Sequence, residues 1–168
     1  GLDIILSNRN ALGKGYLTTS FAANFNDLTI NSVNTNEKLA GKEDTYFDLR
    51  ESYFLRASAP PSKLNLTLDY QIKKSSFLVR FVRFGQIELA NWNYDENDLD
   101  VYTPKITTDW GYTFKPSQKI NFTVGANNVF NVFPDMSSGF VTESGGPWDP
   151  VQMGWNGAFW YGKLKFGI

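Results

Sequence analysis

The sequence predicts an all-β protein built from antiparallel strands. Three observations carry that prediction. Apolar and polar residues alternate through most of the chain, aromatics are abundant although mean hydropathy is low, and tight turns alternate with long connections. Aromatic residues make up 16% of the 168 residues while mean hydropathy is -0.33. That combination suits strands whose two faces differ sharply.

Seven strands are expected, over 2–8, 15–30, 63–73, 76–89, 101–114, 119–127 and 158–167. The first, LDIIL, is short. In the second, Leu17, Phe21, Ala23 and Phe25 share one side. In the third, Leu64, Leu66, Leu68, Tyr70 and Ile72 oppose Lys63, Asn65, Thr67, Asp69 and Gln71. The fourth, SFLVRFVRF, is apolar on both faces and interrupted by Arg80 and Arg83. In the fifth, Ile106, Trp110, Tyr112 and Phe114 oppose Lys105, Thr107, Asp109 and Thr113. In the sixth, Ile120, Phe122, Val124 and Ala126 oppose Asn121, Thr123, Gly125 and Asn127. The last sets Trp160, Leu164, Phe166 and Ile168 against Lys163 and Lys165. No helix is expected, although the connection 31–62 has room for a helical turn or more strand.

Asn10–Lys14, Lys73–Ser75 and Lys115–Gln118 read as tight turns, and 31–62, 90–100 and 128–157 as long connections. Every acidic residue except Asp3, Asp69 and Asp109 lies in or beside a long connection. Six basic residues, Arg9, Lys14, Lys73, Lys74, Lys115 and Lys119, flank the tight turns. A net charge of -1 therefore conceals a molecule acidic at one rim and basic at the other. Short turns on one side and long loops on the other describe a transmembrane β-barrel, with the apolar faces toward hydrocarbon and the polar faces toward a wet or plugged lumen. Tyr70, Trp110, Tyr112, Phe114 and Trp160 would supply its aromatic girdles. The competing reading is a soluble β-sandwich, for which no second layer is evident in the sequence. Bacterial single-chain barrels use even strand counts, so seven strands point to part of a larger barrel.

Composition removes whole classes of function. There are no cysteines and no histidines, so zinc, haem and iron–sulfur sites lose their usual ligands. Histidine triads and thiol nucleophiles are excluded. An enzyme is not expected, nor a cofactor, a metal or a nucleic-acid partner. No apolar run approaches the length of a transmembrane helix. No signal peptide is present, and Gly1 in place of Met reads as a processing or fragment boundary.

Three stretches carry a family resemblance: PPSKLNLTLDYQ (60–71), VYTPKITTDWGYTFKPSQKINFTVGANNVFNVFPD (101–135) and ESGGPWDPVQMGWNGAFWYGKLKFGI (143–168). The chain resembles the C-terminal end of TonB-dependent outer-membrane receptors of the form common in Bacteroidetes-type bacteria. The most specific piece is GANNVFNVFPD (125–135), with Gly125, Asn127, Asn128, Phe130, Asn131, Pro134 and Asp135. The resemblance implies residues 1–168 as the last strands of a 22-stranded type of barrel, whose lumen is plugged by an N-terminal domain that is absent here. It implies a receptor that binds a scarce nutrient, such as a ferric siderophore, haem, cobalamin or an oligosaccharide, and imports it with energy relayed by TonB. The implied partners are outer-membrane lipid, the receptor's own plug and remaining barrel, TonB through the missing N-terminal part, and a small-molecule or glycan substrate. The long loops would be extracellular, and the tight turns and C-terminus periplasmic. A non-transporting receptor-like component of an envelope complex, or a soluble β-sandwich carbohydrate-binding module, are the alternatives. Ile168 departs from the aromatic terminal residue usual in outer-membrane barrels.

Arg80 and Arg83 stand three apart on one strand and so face opposite sides. One should reach the lumen and meet a carboxylate or an anionic substrate; the other should lie near a rim, because arginine at the membrane midplane costs roughly 2–4 kcal/mol. Arg80, Trp92, Tyr94, Trp148 and Trp155 are the candidate substrate-binding residues, since exposed tryptophan suits stacking on a sugar or siderophore. Asp95, Glu96, Asp98 and Asp100 offer oxygen ligands without EF-hand spacing, and read as a solvated loop. Val129–Phe133 is too apolar for an ordinary loop. It should fold back over the rim and pack, with Pro134-Asp135 ending it.

Overall fold

The computed structural model describes residues 1–58, 60–91 and 98–167. In chain order the strands are β1 (Leu2–Leu12), β2 (Gly15–Phe25), β3 (Ser62–Ile72), β4 (Ser75–Phe84), β5 (Ile87–Ala90), β6 (Leu99–Tyr102), β7 (Lys105–Ser117), β8 (Ile120–Asn127) and β9 (Phe159–Phe166). Seven of them make one antiparallel sheet in the order β1-β2-β3-β4-β7-β8-β9, and β5 pairs with β6 separately. The protein is all-β in class. The main sheet is open, with β1 and β9 as its edges.

The register explains the alternation in the sequence. Leu6, Phe21, Leu66 and Phe81 lie opposite one another in turn across four strands. Tyr70, Phe77, Tyr112 and Val124 do the same, as do Phe114, Phe122 and Leu164. Because side chains alternate sides along a strand, these rows make one continuous apolar face. The neighbouring row on the other face reads Ser7, Ser20, Thr67, Arg80 and Asp109. Hydroxyls bridge that face, Ser7 to Ser20 at 3.1 Å and Thr113 to Thr123 at 2.9 Å. Slipping one strand by a single residue would exchange its two faces, so the pattern pins the register.

Among the described residues no helix packs over the middle of the apolar face; the helix Leu49–Ser58 comes near only the ends of β3 and β4. Leu6 is 61% exposed, Leu164 55% and Phe166 67%, and Phe77, Ile106, Phe122 and Trp160 are also open. The helix α2 (Leu49–Ser58), which follows the single-turn α1 (Glu43–Tyr46), packs against β5 instead. A small core forms there from Ala57, Ile87, Leu89 and Tyr102, with Phe54 and Val151 against it.

The tight connections all lie at one end of the sheet: Gly13–Lys14, Lys73–Lys74 and Gln118–Lys119. The long ones, 26–61, 85–104 and 128–158, lie at the other. The charge polarity is sharper than the sequence reading made it. Asp3 opposes Asn24 at the start of β1, and Asp109 accepts a hydrogen bond from the Asn128 amide just beyond β8. Both therefore belong toward the end with the long connections. Pro116 falls where the β7–β8 register shifts between Phe114 and Ser117, since a residue without an N–H is tolerated in a bulge.

Two expectations need correction. A 10-residue helix, α2, stands where none was expected. Asp48 starts it by accepting the Glu51 amide at 2.9 Å, the first half of a capping box, with Glu51 three residues on. The strand bounds also move: β1 runs on to Leu12, whereas β2 stops at Phe25 rather than at residue 30.

Candidate functional site

The long-connection end is organised around one interruption. β4–β7 and β5–β6 share a single register: Phe84 opposes Lys105, and Ile87 opposes Tyr102, each pair in step with the other. One hairpin thus continues past the end of the sheet from its interior strands β4 and β7, broken only at Gly85-Gln86 and Thr103-Pro104. Pro104 has no N–H to give the ladder, and the Gly85 amide turns instead to the Ser62 carbonyl at 2.8 Å. The break leaves backbone groups to satisfy. Gln152, almost fully buried, points its Nε2 at the carbonyls of Gly85 (2.9 Å), Tyr102 (3.1 Å) and Thr103 (2.9 Å). From the other direction the Asp135 carboxylate accepts from the Thr103 amide at 2.7 Å, the Thr103 hydroxyl at 2.6 Å and Lys105 Nζ at 2.5 Å. Burial would raise its pKa, but these donors more than offset that and hold the carboxyl below its ordinary range.

GANNVFNVFPD is the segment that delivers Asp135 there. Gly125 leaves room for the Tyr161 ring, and the phenol oxygen lies 2.6 Å from where a β-carbon would stand. Asn127 ends β8. Asn128 turns the chain out of the strand at φ 48°, a region that asparagine tolerates better than most residues. Its backbone N–H reaches Asp109 at 2.8 Å. Its side chain accepts from the Val132 amide at 2.9 Å and donates to the Val132 carbonyl at 2.8 Å. The Val129 amide bonds to the Thr108 carbonyl at 2.8 Å. Asn131, at φ 56°, accepts from the Ala158 amide at 2.9 Å, which ties in the approach to β9. Pro134 is buried. Phe133 stacks on Trp148 with ring centroids 5.2 Å apart, whereas Phe130 is 73% exposed. The expected packing therefore holds for Phe133 and is corrected for Phe130. The second left-handed residue, Asn131, separates their directions.

Below this segment, on the polar face, lies a cavity of about 500 Å³. Lys63, Asn65, Arg80, Thr107, Asp109, Asn127 and Asn156 line it, together with Phe84, Met153 and Phe159. Arg80 is held by Asp109, with Nε at 2.9 Å and Nη2 at 2.6 Å from the same carboxylate oxygen. The other Asp109 oxygen is the one that takes the Asn128 amide. Lys63 Nζ sits 5.0 Å from the Phe84 ring centroid. Amides, hydroxyls and cations beside aromatic rings can hold a polyhydroxylated or anionic solute.

The candidates separate as follows. Arg80 and Arg83 do face opposite sides, since Arg83 shares the apolar rows with Leu64 and Ile106. Trp148 is committed to Phe133. Trp155 is 38% exposed and lies in the same connection. Trp92 and Tyr94 lie outside the described residues, as do Asp95 and Glu96. Asp98 is described, and its backbone carbonyl accepts from the Asn91 amide at 3.2 Å. Asp100 is buried and accepts the Ser138 amide at 2.9 Å. Sequence reasoning overlooked Gln152 and Asp149. Asp149 is buried and accepts the Val151 amide at 2.9 Å; burial drives its pKa up, against the pull of that amide and of Arg50. Gln152 has no sequence signal because the backbone it serves is far away in the chain; Asp149 bonds only two residues on, and what the sequence does not show is its burial. Comparison with protein-family models, with curated proteins and with solved structures returned no match.

Proposed function

We propose that this chain is wall and outer-side loop of an outer-membrane β-barrel, the C-terminal part of a TonB-dependent receptor that imports a scarce nutrient. The observation that carries the reading is the unlike pair of faces. A continuous apolar face spans seven strands without a covering layer, backed by a polar face that holds the Arg80–Asp109 pair. A bilayer supplies the missing layer, and water or a plug supplies the other. The unpaired edges of β1 and β9 support a larger closed sheet, since closure alone removes edges. The assignment to this receptor family rests on the GANNVFNVFPD resemblance. The polar cavity under the long connections is the part of this chain that a nutrient would touch.

Two measurements test the reading on the intact polypeptide. The 168 residues hold no cysteine, so in a background free of any other cysteine, single cysteines at Phe140 and Lys73 report sidedness cleanly. A membrane-impermeant maleimide added to whole cells should label position 140 and spare position 73. Extraction of the intact protein without detergent, or labelling in the reverse sense, would sink the membrane assignment. Loss of growth on a scarce iron or glycan source, on deleting either the protein or TonB, separates transport from a scaffold role.

A further inference from the structure

A second cleft, of about 580 Å³, opens on the other side of the sheet from the polar cavity. It lies where β3 begins, where β4 ends and where α2 passes above them. Arg56 and Tyr53 come from α2, Ser62 and Arg83 from the strand ends, and Glu88 from β5. By register Arg83 belongs to the apolar face, at its upper limit beside Leu64 and Ile106. Among the described residues its guanidinium makes one hydrogen bond, to the Ser62 hydroxyl at 3.3 Å. The Arg56 guanidinium lies 5.1 Å from the Tyr53 ring centroid. Among the described residues neither guanidinium meets a carboxylate within ion-pair distance. Glu88 is one negative charge against two positive ones, so the lining is net cationic.

Two arginines without ion pairs, at the end of an uncovered apolar face, form an unusual juxtaposition. Arginine below this level would be expensive in hydrocarbon, while here a phosphate can meet its fork with charge-assisted hydrogen bonds. We propose that this cleft binds the phosphate of an anionic lipid whose acyl chains lie down the apolar face past Leu64, Phe81 and Ile106. The proposal rests on the membrane reading above. It commits to a lipid rather than free phosphate because the cationic cleft and the apolar face are continuous through Arg83. Acyl burial and phosphate pairing are therefore available to one molecule at once.

The intact polypeptide in neutral detergent, titrated with dioctanoyl phosphatidic acid and read by native mass spectrometry, tests this. Binding should weaken roughly tenfold for each guanidinium removed, in Arg56→Ala, Arg83→Ala and the double variant. Arg9→Gln, an equal charge change on the polar face, should leave it unchanged. Dioctanoylglycerol, which lacks the phosphate, should bind at least tenfold more weakly than phosphatidic acid, and inorganic phosphate should not compete. Equal binding by the double variant, equal binding of the diacylglycerol, or competition by inorganic phosphate would each overturn the proposal. If the protein needs detergent yet shows any of these, the lipid site alone fails. If it is soluble without detergent, the membrane reading fails with it.

Discussion

The Tyr161 phenol oxygen lies 2.6 Å from the point where Gly125 would carry a β-carbon, and the Trp110 carbonyl lies 2.7 Å from it. Gly111 faces Gly125 across the β7–β8 ladder, and the same phenol oxygen stands 3.7 Å from its own β-carbon position. The tyrosine ring thus fills the space that two glycines leave open. Glycine in a strand interior usually costs roughly 0.5–1 kcal/mol relative to alanine. Overpacking costs about 1–3 kcal/mol, and here one of the clashing atoms is backbone and cannot swing away. The clash wins, so Gly125→Ala should destabilise the β7–β9 region. Thermal unfolding of the intact protein would measure this. Adding Tyr161→Ala should recover part of the loss but not the part due to the Trp110 carbonyl.

Asp135 sets a pH dependence of one sign. Its carboxyl is held below the ordinary 3.8 by donors from Lys105 and Thr103, which outweigh the opposing effect of burial. The folded state therefore keeps the charge where the unfolded chain has begun to take up a proton. The contribution is complete above the unfolded value and is lost as pH falls through the lower folded one. Partial solvent exposure limits its worth to about 1 kcal/mol. The protection of the Thr103 amide, its exchange rate relative to an unfolded chain at the same pH, should be high at neutral pH and fall as pH falls through the folded value. Asp135→Asn should remove that acid dependence and weaken protection at neutral pH.

Asp149 has the opposite sign. Burial raises its pKa above 3.8, and the Val151 amide and Arg50 oppose this without cancelling it. The folded state then holds its proton longer than the unfolded one. Its contribution falls as pH rises from the unfolded value through the folded value, and stays low above it. Asp149→Asn keeps an acceptor for the Val151 amide. It should match the wild type below the unfolded value and unfold at a higher temperature at neutral pH. Paired melting curves of the two proteins at each pH would show whether the curves separate in that order.

The strand faces were legible because successive side chains of a strand point to opposite sides, so the period-two alternation maps directly onto the two faces of the sheet. Leu66 and Thr67 read as opposite faces from the sequence and are so in the sheet. The same spacing argument placed Arg80 and Arg83 on different sides. The helix α2 was missed because its flanking chain reads as polar loop, although Asp48 and Glu51 already carried a capping signal. Asp135 was legible as a motif residue but its partner was not, and Gln152 was not singled out at all. Each satisfies backbone at the Gly85/Thr103 break, more than 30 residues away in the chain for both Asp135 to Thr103 and Gln152 to Gly85. Only Pro104, which creates that break, is visible locally. Phe130 and Phe133 looked equivalent as apolar residues three apart. A left-handed asparagine between them sends one to Trp148 and leaves the other open.

The apolar face offers the sharpest discrimination. Leu66 stands fifth in the 11-residue β3, between Phe21 and Phe81, and Thr67 beside it points to the polar face. Ile106 lies on the apolar face but second in β7. In a bilayer, arginine costs about 2–4 kcal/mol at the midplane and roughly 0–1 kcal/mol near the interface. Leu66→Arg should therefore lower the yield of folded, urea-resistant membrane protein sharply. Thr67→Arg and Ile106→Arg should leave it close to that of the wild type. A covered protein core would follow packing rather than depth. Ile106, 55% exposed, would then be as costly as Leu66 if a partner layer covered both, and an uncovered face in water would tolerate all three. Equal effects at Leu66 and Ile106, in either direction, would contradict contact with hydrocarbon.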